Sequence, residues 1–309
     1  MNLEKYDFVI VGGGVMGLTL SIELKNRFYK SSVLIIDKES SLGFHASGRN
    51  SGVMHAGFYY TSDSLKSKFT REGNATIRQY CKDRKLQINE CGKLVVCKND
   101  TDFKGLDELE KRAKYNNVEL HKISEKEAKK IEPRVITNRV ALWSPTTFSI
   151  NPIQVMESLL SDALGLGIKV VTDTRYLHSN RNNKIIVTSK GNYNYGYFIN
   201  SAGLYADKIA IEWGFSKKYR ILPFKGLYLN ANPLAYKPKV HIYPVPDLKF
   251  PFLGVHFTLT VDGLAKIGPT AIPVFWRENY QGFDRFNASE AIETVYREMD
   301  LWLKNKFDF

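Results

Sequence analysis

The sequence predicts an α/β fold: a Rossmann-like, doubly wound parallel sheet for a dinucleotide, interrupted by an inserted α+β domain built on a mostly antiparallel sheet. Three observations lead there. The apolar run Phe8-Val9-Ile10-Val11 meets Gly12-Gly13-Gly14-Val15-Met16-Gly17, after which apolar residues recur at helical spacing at Val15, Leu18 and Ile22 and at Met16, Leu20 and Leu24. A second apolar run, Val33-Leu34-Ile35-Ile36, ends in Asp37, at the spacing of an acid that accepts hydrogen bonds from an adenosine ribose. Much later, a strand over 197–200 runs into Ser201-Ala202-Gly203, where small residues let the backbone pass beside a cofactor.

A continuous apolar run suits a strand buried on both faces of a parallel sheet. Gly12 permits the tight turn beyond it, Gly14 lets the backbone approach a pyrophosphate, and Gly17 lets the helix pack closely on the strand. The unpaired N–H groups and positive dipole end of that helix favour a diphosphate. Residues 43–52, rich in small and polar side chains, read as a loop with helix-start chemistry at its serines, able to wrap a ligand. Then come a helix over 64–82, a strand over 93–97, a charged amphipathic helix over 103–116, a shorter one over 124–131 that stops before Pro133, and a strand over 140–143. This middle stretch lacks glycine-rich nucleotide chemistry and is assigned to the inserted domain.

Asn151-Pro152 opens a helix through 164, with proline where a first turn tolerates it. Strands follow over 168–171, 184–189 and 197–200, then a helix from about residue 204 that carries Asp207. From 221 to 268 the pattern is β. Leu253, Val255, Phe257, Leu259 and Val261 share one face, and Gly254, His256, Thr258 and Thr260 the other, so His256 points away from the apolar face toward solvent or a cavity. Asp262-Gly263 signals a hairpin with its return strand over 265–267. Asn287-Ala288-Ser289-Glu290 resembles a capping box, with Ala288, Ile292, Val295, Met299 and Leu303 as the stripe of a last helix. The expected division is a nucleotide domain of residues 1–80 and 145–218, a substrate domain of 81–144 and 219–280, and a terminal helix in 281–309.

At 309 residues the chain can bury a substantial core and form two domains, at roughly 100–200 residues each. No apolar run approaches the roughly 20 residues of a membrane span. The chain enters its first strand at once, so no signal or transit peptide is visible and a cytoplasmic protein is expected. Cys81, Cys91 and Cys97 show neither a paired count nor metal-ligand spacing, which reads as reduced thiols and no metal. The net charge of +12, from 44 basic and 32 acidic residues, fits a lysine-rich solvated surface. Without a nucleic-acid module it does not point to nucleic acid.

The loop after Asp37 and the 201–203 return favour a long, enclosed cofactor, which points to FAD over a nicotinamide nucleotide. Of the six histidines, His45, His121, His178 and His241 read as structural. His55, just beyond the cofactor loop, and His256 are the candidates to remove a hydroxyl proton as hydride leaves the adjacent carbon. An anionic substrate needs fixed positive charge, for which Arg49, Arg71, Lys225 and Arg277 are candidates, with Tyr59, Tyr60 and Tyr243 as hydroxyl donors.

Longer motifs narrow the reading. The segment Asn50-Ser51-Gly52-Val53-Met54-His55-Ala56-Gly57-Phe58-Tyr59-Tyr60, with Cys91-Gly92-Lys93-Leu94, Pro223-Phe224-Lys225-Gly226, His241-Ile242-Tyr243-Pro244-Val245-Pro246-Asp247 and Phe250-Pro251-Phe252-Leu253-Gly254-Val255-His256-Phe257-Thr258, resembles the L-2-hydroxyglutarate dehydrogenase/oxidase family. That family is a branch of the D-amino-acid-oxidase-like FAD oxidoreductases, and the resemblance extends to about Tyr280. It implies an FAD-binding domain of the glutathione-reductase type and hydride transfer from C2 of L-2-hydroxyglutarate to flavin, giving 2-oxoglutarate. Electrons would then pass to oxygen, a quinone or the respiratory chain, in the cytoplasm or in peripheral contact with the inner membrane face.

Carried over by position, Gly12, Gly14, Gly17, Asp37 and Lys38 would hold the ADP half of FAD. Ser47, Gly48, Arg49, Asn50, Ser51, Gly52, Ala202 and Gly203 would lie along the flavin half. His55 and His256 would border the reaction site, and Tyr59, Lys225, Tyr243 and Arg277 would bind the 2-hydroxy dicarboxylate. Members of the family continue into a further segment with a glycine-rich turn, which is not found after Gly282, so a shortened product or a fragment is expected, with weaker hold on flavin. Two alternatives stand beside this reading: amine oxidation of an amino acid on the same scaffold, and a non-catalytic flavin-binding remnant.

Overall fold

The first apolar run is buried because its strand, Glu4–Val11, has a parallel neighbour along each edge. Asn192–Asn200 pairs on one side and Val33–Ile36 on the other, with Lys169–Val171 parallel beyond it. All four residues of Val33–Ile36 are buried, as a central parallel strand requires. Past Asn192–Asn200 the sheet continues antiparallel through Ile185–Thr188 and Tyr176–Asn180. The Tyr176–Asn180 strand has no apolar alternation to announce it, and Glu212 holds its inner end by accepting from Tyr176 Oη at 2.9 Å and from the Ser179 N–H at 2.8 Å. Helices Val15–Arg27 and Pro152–Gly165 pack on each other. Val9, Leu34, Ile36, Ile186 and Tyr195 form a core, closed by Phe198 stacked on Trp213 at 4.5 Å.

The computed structural model describes residues 3–232, 237–247 and 254–304. They fall into two units: Met1–Asn50, Pro152–Pro223 and Val274–Phe309, and then Ser51–Asn151 with Phe224–Pro273. No helix among the described residues is long and apolar enough to cross a membrane.

The second unit is built on a seven-stranded sheet in the order Leu229–Asn230, Ala265–Gly268, His256–Leu259, His241–Pro244, Lys93–Val96, Val140–Ser144, His121–Ser124. Its pairings are antiparallel except where His241–Pro244 runs parallel to Lys93–Val96. One face carries Val95, Cys97, Leu142 and Val245 under Leu106, Leu109 and Ala113 of the Phe103–Tyr115 helix. The other carries Leu94, Ala141 and Val240 under Ala128 of the Glu125–Ile131 helix, which Ser124 and Glu127 cap reciprocally.

The structure corrects the expected division in four places, the smallest being residues 219–223, which belong with the first unit. Residues 51–80 and 145–151 belong with the second unit. The reason is local: Val53–Met54 pairs with Phe148–Ile150, and Asn74 of the Leu65–Asp83 helix donates to the carbonyls of Met54, His55 and Thr146 at 3.1–3.2 Å. Residues from Val274 onward belong with the first unit. Arg277 is 5% exposed and donates to both carboxylate oxygens of Asp207, at 2.6 and 2.9 Å, and to the Leu204 carbonyl. Burial works to raise the Asp207 carboxyl, and the guanidinium outweighs it. Arg277 therefore ties Val274–Phe309 to the Ala206–Glu212 helix, and its guanidinium is spent there and not on a substrate.

Two amphipathic expectations also change. In the His256–Leu259 strand the polar face is buried throughout, with His256 5% and Thr258 0% exposed, whereas the apolar face is buried at Leu259, 2% exposed, and open at Phe257, 40% exposed. Phe257 shares its face with its partner Ile242, which packs on the Leu94, Ala128 and Ala141 cluster. Phe252 and Leu253 lie outside the described residues. In the last helix, Ala288–Leu303, Asn287 caps the Glu290 N–H as the sequence implied. Its buried residues are Glu290 and Thr294, while Ile292, Met299 and Leu303 remain exposed.

Arg277→Met would leave Asp207 buried without its partner, and removal of one member of a buried ion pair destabilises by about 3–5 kcal/mol. Urea unfolding of the protein and the variant measures it, and a loss under about 1 kcal/mol would show that the pair is not what fastens this segment.

Candidate active site

Gly12 ends the first strand with φ +105, and a Cβ there would run into the Ser201 carbonyl; a Cβ at Gly17 would run into the carbonyl of Gly12. Both positions therefore need glycine for close approach of backbone to backbone. Around this turn the first unit holds a cavity of about 660 Å3, within the size range of cofactor sites. Gly12, Gly14, Asp37, Lys38, Ser47, Ser201, Ala202 and Gly203 are among the residues lining it. Asp37 accepts from the Gly13 N–H at 2.7 Å and from the Glu39 N–H at 2.9 Å, which fixes its carboxylate at the mouth of the turn. Ser47 Oγ receives the Val15 N–H at 3.0 Å, placing the 43–49 loop across the start of the first helix.

That loop is fastened by a buried charge network. Glu39 accepts from Lys38, His45 and Arg285, and Glu278 accepts from Lys38, Arg285 and Tyr205. His45 reaches Tyr280 Oη at 2.8 Å through Nδ1. Arg285, ahead of its other partners, holds the Glu39 carboxyl far below the usual range. The cluster Glu39, His45 and Glu278 has the spacing of metal ligands, but Lys38 and Arg285 already provide the positive charge there. Arg49 lies at the surface over the rings of Tyr280 and Phe44, at 4.2 and 4.7 Å.

In the second unit, sheet register assembles a different constellation. His241 pairs with Lys93 and Tyr243 with Val95, so Lys93, His241 and Tyr243 share a face. The Ile242 and Phe257 pairing puts His256 and Thr258 on it too. His55 and Tyr59 reach the same group from the segment after Val53–Met54. The His256 ring stacks on Tyr243 at 3.8 Å, and His55 meets Tyr59 and Tyr243 edge-on. Lys93 is 0% exposed, with Nζ 3.3 Å from His55 Nδ1 and over the rings of Tyr59, Phe58 and Tyr243.

Hydrogen bonds separate the three histidines. His256 Nδ1 stands 2.7 Å from the Gly254 carbonyl, which can only accept, so neutral His256 carries its proton on Nδ1 and keeps the Nε2 lone pair free. His241 Nδ1 accepts from the Leu259 N–H at 3.0 Å and Nε2 faces Ser149 Oγ at 3.3 Å, so both of its nitrogens serve the fold. Burial pushes all three imidazoles down, and His241 reaches about 3. Burial likewise pushes the Tyr59 and Tyr243 phenols up. All five groups are uncharged near neutrality.

The structure thus gathers His55, His256, Tyr59 and Tyr243 of the expected site. Lys225 sits in a separate two-stranded ribbon, Phe224–Lys225 with Ile272–Pro273. Gly48, Arg49 and Asn50 end the first unit's loop, while Ser51 and Gly52 begin the second unit. Lys93 was missed, because a lysine that opens an apolar run reads as a polar lead-in. The available signal was its alternation with Val95 and Cys97, which puts it on the buried face.

A fold with a glycine-rich βαβ nucleotide cradle and a second unit bearing a histidine–tyrosine–lysine cluster defines a dinucleotide-dependent oxidoreductase. The family model described as FAD dependent oxidoreductase matches residues 7–304, and the chain belongs to that family. It is 36% identical over 310 residues to the mitochondrial L-2-hydroxyglutarate dehydrogenase of Pongo abelii, covering 95% of this chain and 74% of that protein. It is 32% identical over 294 residues to the L-2-hydroxyglutarate dehydrogenase of Escherichia coli strain K12, covering 94% and 69%. Among solved structures, dithionite-reduced L-alpha-glycerophosphate oxidase of Mycoplasma pneumoniae with FAD bound superposes with TM-score 0.77 at 24% identity, over 91% of this chain and 76% of that one. Glycine oxidase of Geobacillus kaustophilus gives 0.75 at 18%, over 96% and 77%. These two likenesses concern the fold.

The cofactor is FAD, and the residues present fit it: Gly12 and Gly14 line the cavity with bare backbone, beside the carboxylate of Asp37. Gly12→Ala adds a strained φ and a collision with Ser201, about 1–3 kcal/mol or more, so FAD occupancy should fall roughly tenfold or further. Gly191→Ala, with open space at its Cβ, should retain flavin in the same absorbance measurement, and equal retention by both would reject the cradle.

His241 makes a second expectation. Its folded value of about 3 lies below the ordinary 6.5, so the stability it contributes is complete above 6.5 and is lost as pH falls toward 3. His241→Asn, which can still accept and donate, should flatten that acid limb in unfolding curves taken across the window.

Proposed function

We propose that the protein oxidises the C2 hydroxyl of L-2-hydroxyglutarate, a five-carbon 2-hydroxy dicarboxylate, to 2-oxoglutarate. The observation that carries this reading is the match, along nearly the whole chain, to relatives named for that dehydrogenase. When bound, FAD supplies the two-electron acceptor for the C2 hydride. The other half of the reaction, removal of the hydroxyl proton, falls to the second unit.

His256 Nε2 is the base. Its proton already sits on Nδ1, held by the Gly254 carbonyl, and burial keeps the ring neutral at physiological pH, so the lone pair is ready to receive a proton. Stacking on Tyr243 holds the ring against rotation. His55 contributes the second polar group of the site and is positioned by Lys93. The electron acceptor that reoxidises the cofactor is, on this reading, oxygen, a quinone or the respiratory chain.

Anaerobic addition of L-2-hydroxyglutarate to the FAD-loaded protein should bleach the flavin absorbance, and L-glutamate should not. Bleaching by L-glutamate alone would replace this reading with amine oxidation. His256→Asn should lower kcat by about 100-fold or more, the usual contribution of a general base. Because the base must be unprotonated and its pKa is depressed, the acid limb of kcat/KM should lie below the ordinary histidine value of 6.5. A limb unchanged in His256→Asn would move the base to His55.

A further inference from the structure

Lys93 is a buried amine without an anion beside it. Its side chain is wholly buried, and among the described residues no carboxylate pairs with it. The titratable groups facing it are His55, Tyr59, His241, Tyr243 and His256, none of which brings negative charge near neutrality. Ring faces at 4.4, 4.6 and 4.9 Å favour an ammonium, but such contacts offset only part of its desolvation. Beside it Tyr59 Oη is buried with no hydrogen-bond partner among the described residues. Lys93 Nζ has three donors and meets only His55 Nδ1, at 3.3 Å, so together with the unpartnered Tyr59 Oη it points to a ligand that accepts from both.

We propose that a carboxylate of the substrate is the missing partner, held by Lys93 Nζ and Tyr59 Oη, and that its arrival fixes a proton on the lysine amine. This rests on the dicarboxylate reading above. In the free protein burial pushes the amine well below the usual lysine range. An adjacent carboxylate favours the charged form, so ligand binding raises the amine's affinity for a proton. The resulting ammonium must donate to His55 Nδ1, which leaves the remaining imidazole proton on Nε2. Docking thereby makes His55 a donor for the substrate's C2 oxygen while His256 remains the acceptor.

The test is calorimetry of the FAD-loaded protein with glutarate, a dicarboxylate with no hydroxyl to oxidise, in phosphate and in Tris at about pH 7, where the ordinary lysine amine would already be charged. The difference between buffers counts protons. The protein should take up protons on binding. Lys93→Arg, charged throughout, should bind without uptake, and Lys93→Met should bind at least about thirtyfold more weakly. Tyr59→Phe, which deletes only the hydroxyl, should weaken binding about tenfold and retain the uptake. Binding without uptake, uptake that persists in Lys93→Arg, or unchanged affinity in Tyr59→Phe overturns the assignment while leaving the substrate class standing. Failure of both glutarate and 2-oxoglutarate to bind rejects the substrate class and the assignment with it.

Discussion

The histidine–tyrosine–lysine cluster of the second unit depends on one stretch of parallel pairing, in which His241 lies opposite Lys93 and Tyr243 opposite Val95. A shift of that register by one residue would turn Lys93, or both His241 and Tyr243, to the other side of the sheet. The same face then changes character along its length. At one end Val95, Cys97, Leu142 and Val245 pack under the Phe103–Tyr115 helix. At the other, Lys93, His241, Tyr243, His256 and Thr258 are equally buried. The apolar end supplies the packing that holds the polar end in place, since fully buried polar groups weaken a fold unless the backbone around them is fixed.

The first unit meets the opposite demand, keeping space open where chain would otherwise fill it. Glycine at positions 12 and 17 allows strand, turn and helix to close on Ser201 and on one another. Asp37 and Ser47 then meet backbone N–H groups of that turn directly, at Gly13 and Val15. The ion pairs of Glu39 and Glu278 with Lys38 and Arg285 bind residues 38–39 to residues 278–285, and His45 ties the 43–49 loop to them through Glu39 and Tyr280. In such a network each charge is held by more than one partner, so less side-chain freedom is lost per contact than in an isolated surface pair.

How much of this could be read from sequence followed the range of the interactions. The glycine turn, Asp37, the Ser124 and Asn287 caps and the Asp262-Gly263 hairpin are local chemistry, decided within a few residues, and they stand where the pattern put them. Alternation places His256 away from the apolar face, toward solvent or a cavity, and does not say that this side is buried. A strand reports only which residues share a face, and which face is buried is decided by what packs there. Arg277 could not be separated from a substrate anchor, because Asp207 is 70 residues away in sequence. Lys93 escaped for the same reason: its environment comes from segments around positions 55, 59 and 243.

Histidines in the cluster show why residue type alone does not assign a role. His241, His55 and His256 all lie in one polar patch and all are depressed by burial. Only the second nitrogen distinguishes them. In His241 both nitrogens are committed to Leu259 and Ser149, in His256 one is fixed by the Gly254 carbonyl and the other has no hydrogen bond among the described residues, and in His55 one faces the Lys93 amine. A structural ring, a proton acceptor and a ring whose tautomer depends on its neighbour therefore arise from a single residue type, according to whether the adjoining group is an obligate donor, an obligate acceptor or a group able to be either.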